Sequence, residues 1–175
     1  MINANDQEFI QAFDEFSDAL YRHCYFRVYS KEKAEELVQE TFMKAWQYIA
    51  KGNEVENMRA FLYRIANNLV IDYSRKKKEE SLDALLAISP TYEPSVDGRK
   101  ETERNLMLDH LHQMMNLLPD EVRHILLLRY VEDLDPKEIA LVLDITPNNV
   151  SVRLNRAHTT LKQLIDNLEN REILR

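Results

Sequence analysis

Near the C-terminus, Asn148, Val152, Asn155 and Thr159 recur at the three-to-four spacing of one helical face, with Ser151 and Arg156 at its edges. Short amides, hydroxyls and methyl-bearing side chains match the donors, acceptors and thymine methyls of the DNA major groove, and arginine binds guanine or phosphate. Base reading is the chemistry this face suggests, although the same composition taken alone also describes a solvated helix surface. Earlier in the chain Arg64, Asn68, Ile71 and Arg75 form a second line at helical spacing. It is followed by Lys76, Lys77 and Lys78, and Phe61, Tyr63, Tyr73 and the amide Asn67 are interleaved with it. Basic groups beside aromatic ones suit single-stranded or distorted nucleic acid, where stacking and phosphate contacts combine. The same aromatics also suit a core, and SRKKK suits the end of a helix dipole.

Enzyme chemistry finds little support. His23, His110, His112, His124 and His158 are scattered without the i, i+4 spacing of a helical zinc site, and Glu35, Glu36 and Glu40 lack the Glu-x-x-His partner of a di-iron bundle. With one cysteine, Cys24, the chain can form neither an internal disulfide nor a cysteine-based metal site, and it lacks a phosphate-binding glycine loop. No cofactor and no metal are expected, and the histidines read as surface or packing residues.

The charge pattern favours a polyanion. The net charge is -7, but Asp6, Glu8, Asp14, Glu15 and Asp18 precede the first basic residue, Arg22. By contrast Arg59, Arg64, Arg75 and Lys76 to Lys78 face only Asp72 within their segment, and from Thr146 to Gln163 there are Arg153, Arg156 and Lys162 and no acid. Two basic islands therefore stand in an acidic chain. The N-terminus has no basic start leading into an apolar core, and no apolar stretch approaches the ~20 residues of a membrane span, so a cytoplasmic, reducing location without membrane insertion is expected.

The elements that must position these faces are helices. Two glycines, abundant Leu, Glu, Lys, Gln and Ala, and no alternating β-branched runs predict an all-α fold. Phe9, Phe13, Phe16, Leu20, Cys24 and Val28 mark the buried stripe of a first helix over about 6–29. Ser30 is the N-cap of a second, with Ala34, Val38, Phe42, Ala45 and Ile49 inside, Trp46 beside them, and Glu36, Gln39, Glu40 and Met43 outside. After Lys51-Gly52-Asn53 a third helix runs from about Asn57 to Lys78 on the apolar stripe Phe61, Leu62, Ile65, Leu69 and Tyr73.

Between 79 and 103 SPTYEPS and Gly98 replace the periodicity, which marks a flexible linker in which 82–88 is apolar enough to dock. Two small helical domains, 1–78 and 104–175, follow. The second opens with Met107, Leu111, Met114 and Leu118 on one helix ended by Pro119, and the next helix starts with Asp120 and Glu121. Asp135-Pro136-Lys137-Glu138 offers a cap, a first-turn proline and a capping-box acid, and Thr146-Pro147 repeats the start for a long helix packed through Val150, Leu154, Ala157, Leu161 and Leu164. A short helix, a tight turn and a longer helix outline a helix-turn-helix, the context that favours base reading at the face described first.

With these residues in place the chain resembles the extracytoplasmic-function (ECF) group of the bacterial sigma-70 family of RNA polymerase sigma factors. AEELVQETFMKAW resembles region 2.2, MRAFLYRIANNLVIDYSRKKK regions 2.3 and 2.4, and LPDEVRHILLLRY, DLDPKEIALVLDI and NNVSVRLNRAHTTL region 4. The resemblance implies a non-enzymatic factor that binds core RNA polymerase and directs promoter-specific transcription initiation. Glu36, Gln39, Glu40 and Met43 would meet the polymerase clamp helices. Gly52, Asn53, Asn57, Arg59, Arg64, Asn67, Asn68, Arg75, Lys76 and Lys77 would melt and hold the -10 element, capturing an extruded base. Thr146, Asn148, Asn149, Ser151, Val152, Arg153, Asn155 and Arg156 would read the duplex -35 element, while the linker threads near the polymerase active centre. Catalysis, with its magnesium, would belong to the polymerase, and an anti-sigma factor is an expected further partner.

Some positions depart from the family pattern. Asp144 stands where glycine is usual, Ser151 and His158 where a basic residue is common, and Val152 where a small polar one is. Fewer phosphate contacts imply weak, salt-sensitive DNA binding by the second domain alone, with useful affinity only when polymerase tethers both. Two other readings are a self-sufficient helix-turn-helix repressor or activator, which would need a dimerisation surface and a signal-receiving domain, and a helical enzyme or metal-binding bundle.

Overall fold

The computed structural model describes residues 4–83 and 113–173, all of its regular structure helical, in two compact units. Met107, Leu111, His110, His112 and most of the expected linker lie outside the described residues.

In the first unit α1 (Ala4–Val28), α2 (Lys31–Ala50) and α3 (Met58–Asp83) pack pairwise as a three-helix bundle. The stripe expected along α1 holds at Leu20, Cys24 and Val28, but Ala12 takes the inner position and Phe13 is 48% exposed. A small residue at 12 lets the helices approach. The rings of Phe9 and Phe13 then cover Phe42 from outside, with centroids at 6.0 and 4.8 Å, and Phe9 also meets Trp46 at 5.1 Å.

Tyr29 takes a left-handed conformation, φ 54°, and Ser30 accepts the Lys33 amide at 3.2 Å, so one short corner ends α1 and caps α2. All five residues expected inside α2 are buried, with Leu37 and Thr41, whose hydroxyl donates to the Leu37 carbonyl at 2.7 Å. Gly52 at φ 84° sends its amide to the Ile49 carbonyl at 2.9 Å, the left-handed close for which glycine is best suited. Asn57 opens α3 by accepting the Ala60 amide at 2.8 Å. The inner face of α3 is Leu62, Tyr63, Ala66, Asn67, Leu69 and Val70, rotated from the expected stripe, so that Phe61 and Ile65 are only half-buried. No glycine or proline follows Lys78 for several residues, and α3 continues to Asp83, past its expected end.

Two buried polar groups stabilise the bundle's interior geometry. Arg27 donates to the Asn67 side chain at 3.4 Å. His23 packs edge-on against Tyr63, with centroids at 5.3 Å; burial, then the charges of Arg27 and Arg22, push its pKa from 6.5 to about 3.

The second unit begins with the helical turn at 113–116. It continues through α4 (Asp120–Leu126), a π-helical segment Leu127–Val131, α5 (Pro136–Leu143) and α6 (Pro147–Ile173). Five consecutive residues, His124 to Leu128, are buried, more than one turn of α-helix can direct to one side. The chain widens there: the Glu132 amide reaches the Leu127 carbonyl at 3.0 Å, and Asp133 at φ 50° closes the turn beneath an Arg129 to Leu134 carbonyl bond of 3.0 Å.

The capping box at α5 forms in both directions. Asp135 Oδ1 accepts the Lys137 and Glu138 amides at 2.7 and 2.9 Å, and Glu138 accepts the Asp135 amide at 3.0 Å. The Glu138 amide, with help from that of Lys137, holds the Asp135 carboxyl below its usual range despite slight burial. Beyond α5, Asp144 sits at φ 53° and the Ile145 amide returns to the Ala140 carbonyl at 3.1 Å, a Schellman close made without glycine. Thr146 then accepts the Asn149 amide at 3.2 Å and α6 starts.

Two outcomes follow. Unfolded His23 gains its proton near pH 6.5 while the folded group resists until about pH 3, so the unfolded state binds more protons in that window and stability is lost as pH falls through it. Urea titrations should show an unfolding free energy falling by up to about 1.4 kcal/mol per pH unit from this group, a component missing in His23→Gln. Asp144→Gly should raise stability by roughly 0.5–1 kcal/mol, read from the same titrations at neutral pH, because only the native left-handed residue is relieved.

Candidate nucleic-acid interface

Burial of Val150, Leu154 and Ala157 sets the rotation of α6 about its axis. Asn148, Val152, Asn155 and Thr159 then point away from the unit, all exposed, with Ser151 on one flank and Asn149, Arg153 and Arg156 on the other. Two hydroxyls are committed to the helix itself: Ser151 donates to the Pro147 carbonyl at 3.2 Å and Thr159 to that of Asn155 at 3.1 Å, which leaves their lone pairs outward as acceptors. Thr146, also exposed, has its oxygen engaged in the cap. Arg153 and Arg156 form no ion pair among the described residues, so their charge is unneutralised. The eight residues expected to contact duplex DNA are therefore contiguous on one open surface.

In the first unit Arg64, Asn68, Ile71 and Arg75 lie exposed along one side of α3, with Lys76 and Lys77 at its far end. Arg75 reaches Asp72 at 3.1 Å, a solvated pair that screens some of its charge. Arg64 has no ion pair among the described residues. Asn67 does not belong to this face. It is 4% exposed and bonded to Arg27, because one position along a helix turns the side chain by 100° and the bundle needs that position inside. The expectation that Asn67 contacts DNA is corrected accordingly.

The loop residues divide by task. Gly52 and Asn53 are exposed, and the Asn53 amide nitrogen donates to the Tyr48 carbonyl at 2.9 Å. Asn57 is spent on the α3 cap. Arg59 is half-buried in a shallow cleft of about 370 Å³ between α1 and the start of α3, whose walls carry Glu8, Glu15 and Glu56. The sequence shows Glu8 and Glu15 only as part of an acidic N-terminal stretch; their placement beside Glu56 and Arg59 comes from the packing of two distant segments.

On α2, Glu36, Gln39, Glu40 and Met43 form a line three and four residues apart, with Met43 53% exposed. Glu36 and Glu40 pair with Lys33 and Lys44 at 2.7 and 3.0 Å. Exposed Trp46 extends this line, and Ile10 and Phe13 add exposed apolar surface from α1, where the helical spacing had placed Phe13 in the core. Among the described residues no group of His, Cys, Asp and Glu could hold a metal ion, and no helix is long and apolar enough to cross a membrane.

Residues 12–80 match the family model for Sigma-70 region 2, and residues 108–161 that for Sigma-70, region 4. The chain is 31% identical over 175 residues to the ECF RNA polymerase sigma factor SigW of Bacillus subtilis (strain 168), covering 94% of each. It is 29% identical over 162 residues to SigM of the same organism, another ECF RNA polymerase sigma factor, covering 93% of this chain and 98% of that one. Its fold is similar to the sigma factor RpoE from Bartonella quintana, co-crystallised with the anti-sigma factor NepR. The TM-score is 0.72 at 24% identity, over 91% of this chain and 98% of that one.

The burial of Asn67 separates stability from binding. Asn67→Ala should lower unfolding free energy by about 1–2 kcal/mol in denaturant titrations and leave the DNA affinity of the folded fraction unchanged. Arg64→Ala should do the reverse, with stability within about 0.5 kcal/mol of the parent.

Proposed function

The chain belongs to the ECF group of the sigma-70 family, non-enzymatic RNA polymerase sigma factors that direct promoter-specific transcription initiation, and from this premise we propose how its surfaces divide the work. Residues 1–78 act as region 2 and residues 104–175 as region 4, with 79–103 as the connecting linker. The α2 line of Glu36, Gln39, Glu40 and Met43 binds the clamp helices of core polymerase. A face that combines amides, carboxylates and an exposed methionine suits a mixed polar and apolar interface, with Met43 as its adaptable contact.

Gly52, Asn53, Arg59, Arg64, Asn68, Arg75, Lys76 and Lys77 engage the -10 element, the basic groups holding the non-template strand while the loop takes up an extruded base. In this scheme Asn57 shapes the loop through its cap, and Asn67 supports α3 from inside. Thr146, Asn148, Asn149, Ser151, Val152, Arg153, Asn155 and Arg156 meet the -35 duplex. Asn148 and Asn155 have the chemistry to pair with adenine, Val152 to touch a thymine methyl, and the arginines to bind guanine or phosphate. The observation that carries this reading is the open α6 face, whose outward residues are polar or methyl-bearing and whose arginines form no ion pair among the described residues.

An anti-sigma factor is the partner expected to cover these faces when the factor is idle. The related RpoE structure includes such a protein, NepR. The working location is the cytoplasm, where the polymerase is.

The decisive experiment is co-elution of the purified chain with bacterial core RNA polymerase, parent beside Gln39→Ala, Glu40→Ala. The parent should form a stable complex and the variant should bind at least about fivefold more weakly, the loss expected when a central interface contact is truncated. A folded, inhibitor-free chain that fails to bind core polymerase but grips duplex DNA tightly would instead favour the stand-alone repressor.

A further inference from the structure

The π-helical segment presents Tyr130 to α6 in a way that the division of work above does not use. Its hydroxyl lies 2.5 Å from Nε2 of His158, and the two rings are 5.6 Å apart, inclined at 47°. Both side chains are exposed, Tyr130 by 61%, so the contact is not part of the core. Neither side chain has another hydrogen-bond partner among the described residues.

We propose that Tyr130 and His158 form a composite hydrogen-bond donor to one phosphodiester of the duplex, beside the face of α6 that reads it. The inference rests on α6 being the -35 reader and adds a contact outside the eight residues assigned to it.

Position is the first argument. His158 follows Asn155 by three residues and Ser151 by seven, so the three share one line of the helix, and that line is the flank of the Asn148, Val152, Asn155 and Thr159 face. A helix seated in the major groove points its centre at base edges and its flanks at the sugar-phosphate walls. Lys162, four residues further on, continues the flank with a cation, and α6 carries no acid from Thr146 to Gln163 to repel the strand.

Proton accounting is the second. If the tyrosine hydroxyl donates to Nε2, the imidazole proton must sit on Nδ1 and can point outward. If Nε2–H donates to the phenolic oxygen, the tyrosine proton is released and can point outward instead. Either tautomer of the neutral pair therefore offers one donor to the outside, and a phosphate oxygen, which only accepts, fits both. A base edge, with mixed donors and acceptors, would not be served equally by the two.

The backbone supplies the third. The Glu132 amide reaching back to Leu127 widens the turn so that Leu127 and Leu128 face the core while Tyr130 projects outward. Widened turns of this type are frequent at functional sites.

The test uses the full chain assembled with core polymerase, and a promoter duplex enriched by that holoenzyme from a random-sequence library. Tyr130→Phe, His158→Ala, the double variant and Asn155→Ala are compared on this duplex and on copies carrying a single neutral methylphosphonate at each position flanking the -35 element. The double variant should bind roughly two- to tenfold more weakly with unchanged sequence preference, each single variant less so, and one methylphosphonate should erase the difference between parent and double variant. Parental affinity in the double variant, a loss tied to base identity, or a loss that no methylphosphonate abolishes overturns the proposal. Thermal unfolding of the same proteins guards against misfolding, because destabilisation would lower binding to every methylphosphonate duplex alike. Asn155→Ala tests the underlying reading separately. If it leaves sequence preference unchanged, α6 is not the reader and the dyad falls with it. If it alters preference while the dyad variants behave as the parent, only the dyad falls.

Discussion

Everything the second unit presents to a ligand depends on how α6 is rotated about its own axis, and that rotation is held by Val150, Leu154 and Ala157. Each sits in the core, and rotating the helix by half a turn would expose them and bury the opposite face, with Asn148 and Asn155, without partners. Hydrophobic burial is non-directional, but a stripe on a helix makes it directional, because one face can enter the core only if the opposite one leaves it. The rest of the unit serves this arrangement. The capping box starts α5 at Asp135, the Schellman close at Asp144 reverses the chain, and the Thr146 cap starts α6 within a few residues of where α5 ended.

The same principle organises the first unit with a different compromise. Its interior admits His23, Thr41 and Asn67 beside the apolar core. Thr41 is satisfied within its own helix, while Asn67 draws Arg27 across from α1. The Arg27–Asn67 contact is specific in direction, so it adds register between α1 and α3 to the adhesion supplied by Leu20, Leu37 and Leu62. A histidine held neutral in this setting links the bundle to pH without touching the outward basic line of α3.

Segregation of charge reconciles an acidic protein with a nucleic-acid role. The net charge of -7 acts at long range, where salt screens it over about 10 Å, while Arg64, Arg153 and Arg156, which form no ion pair among the described residues, act at contact range. Affinity from either unit alone should be modest. Two weak sites joined through a common partner gain by effective concentration, which also keeps the unbound factor from occupying DNA indiscriminately.

Composition and periodicity alone determined that the chain is helical and where its caps lie. They also identified the exposed line of α3, the buried stripes of α2 and α6, and the outward face of α6, because each of these is a property of residues three or four apart on one helix. The motif order added the family. Tertiary structure alone decided the rest. Ala12 rather than Phe13 enters the core, at the point where α1 faces the start of α3, while Phe13 covers Phe42 from outside. Asn67 turns inward because Arg27 comes from another helix to meet it. The run around Leu127 widens into a π turn because five successive residues must be buried at once. Tyr130 meets His158 across 28 residues of sequence. Local spacing encodes which face of a helix is apolar, but the depth to which each position sinks, and the partner it finds there, depend on the helices packed against it.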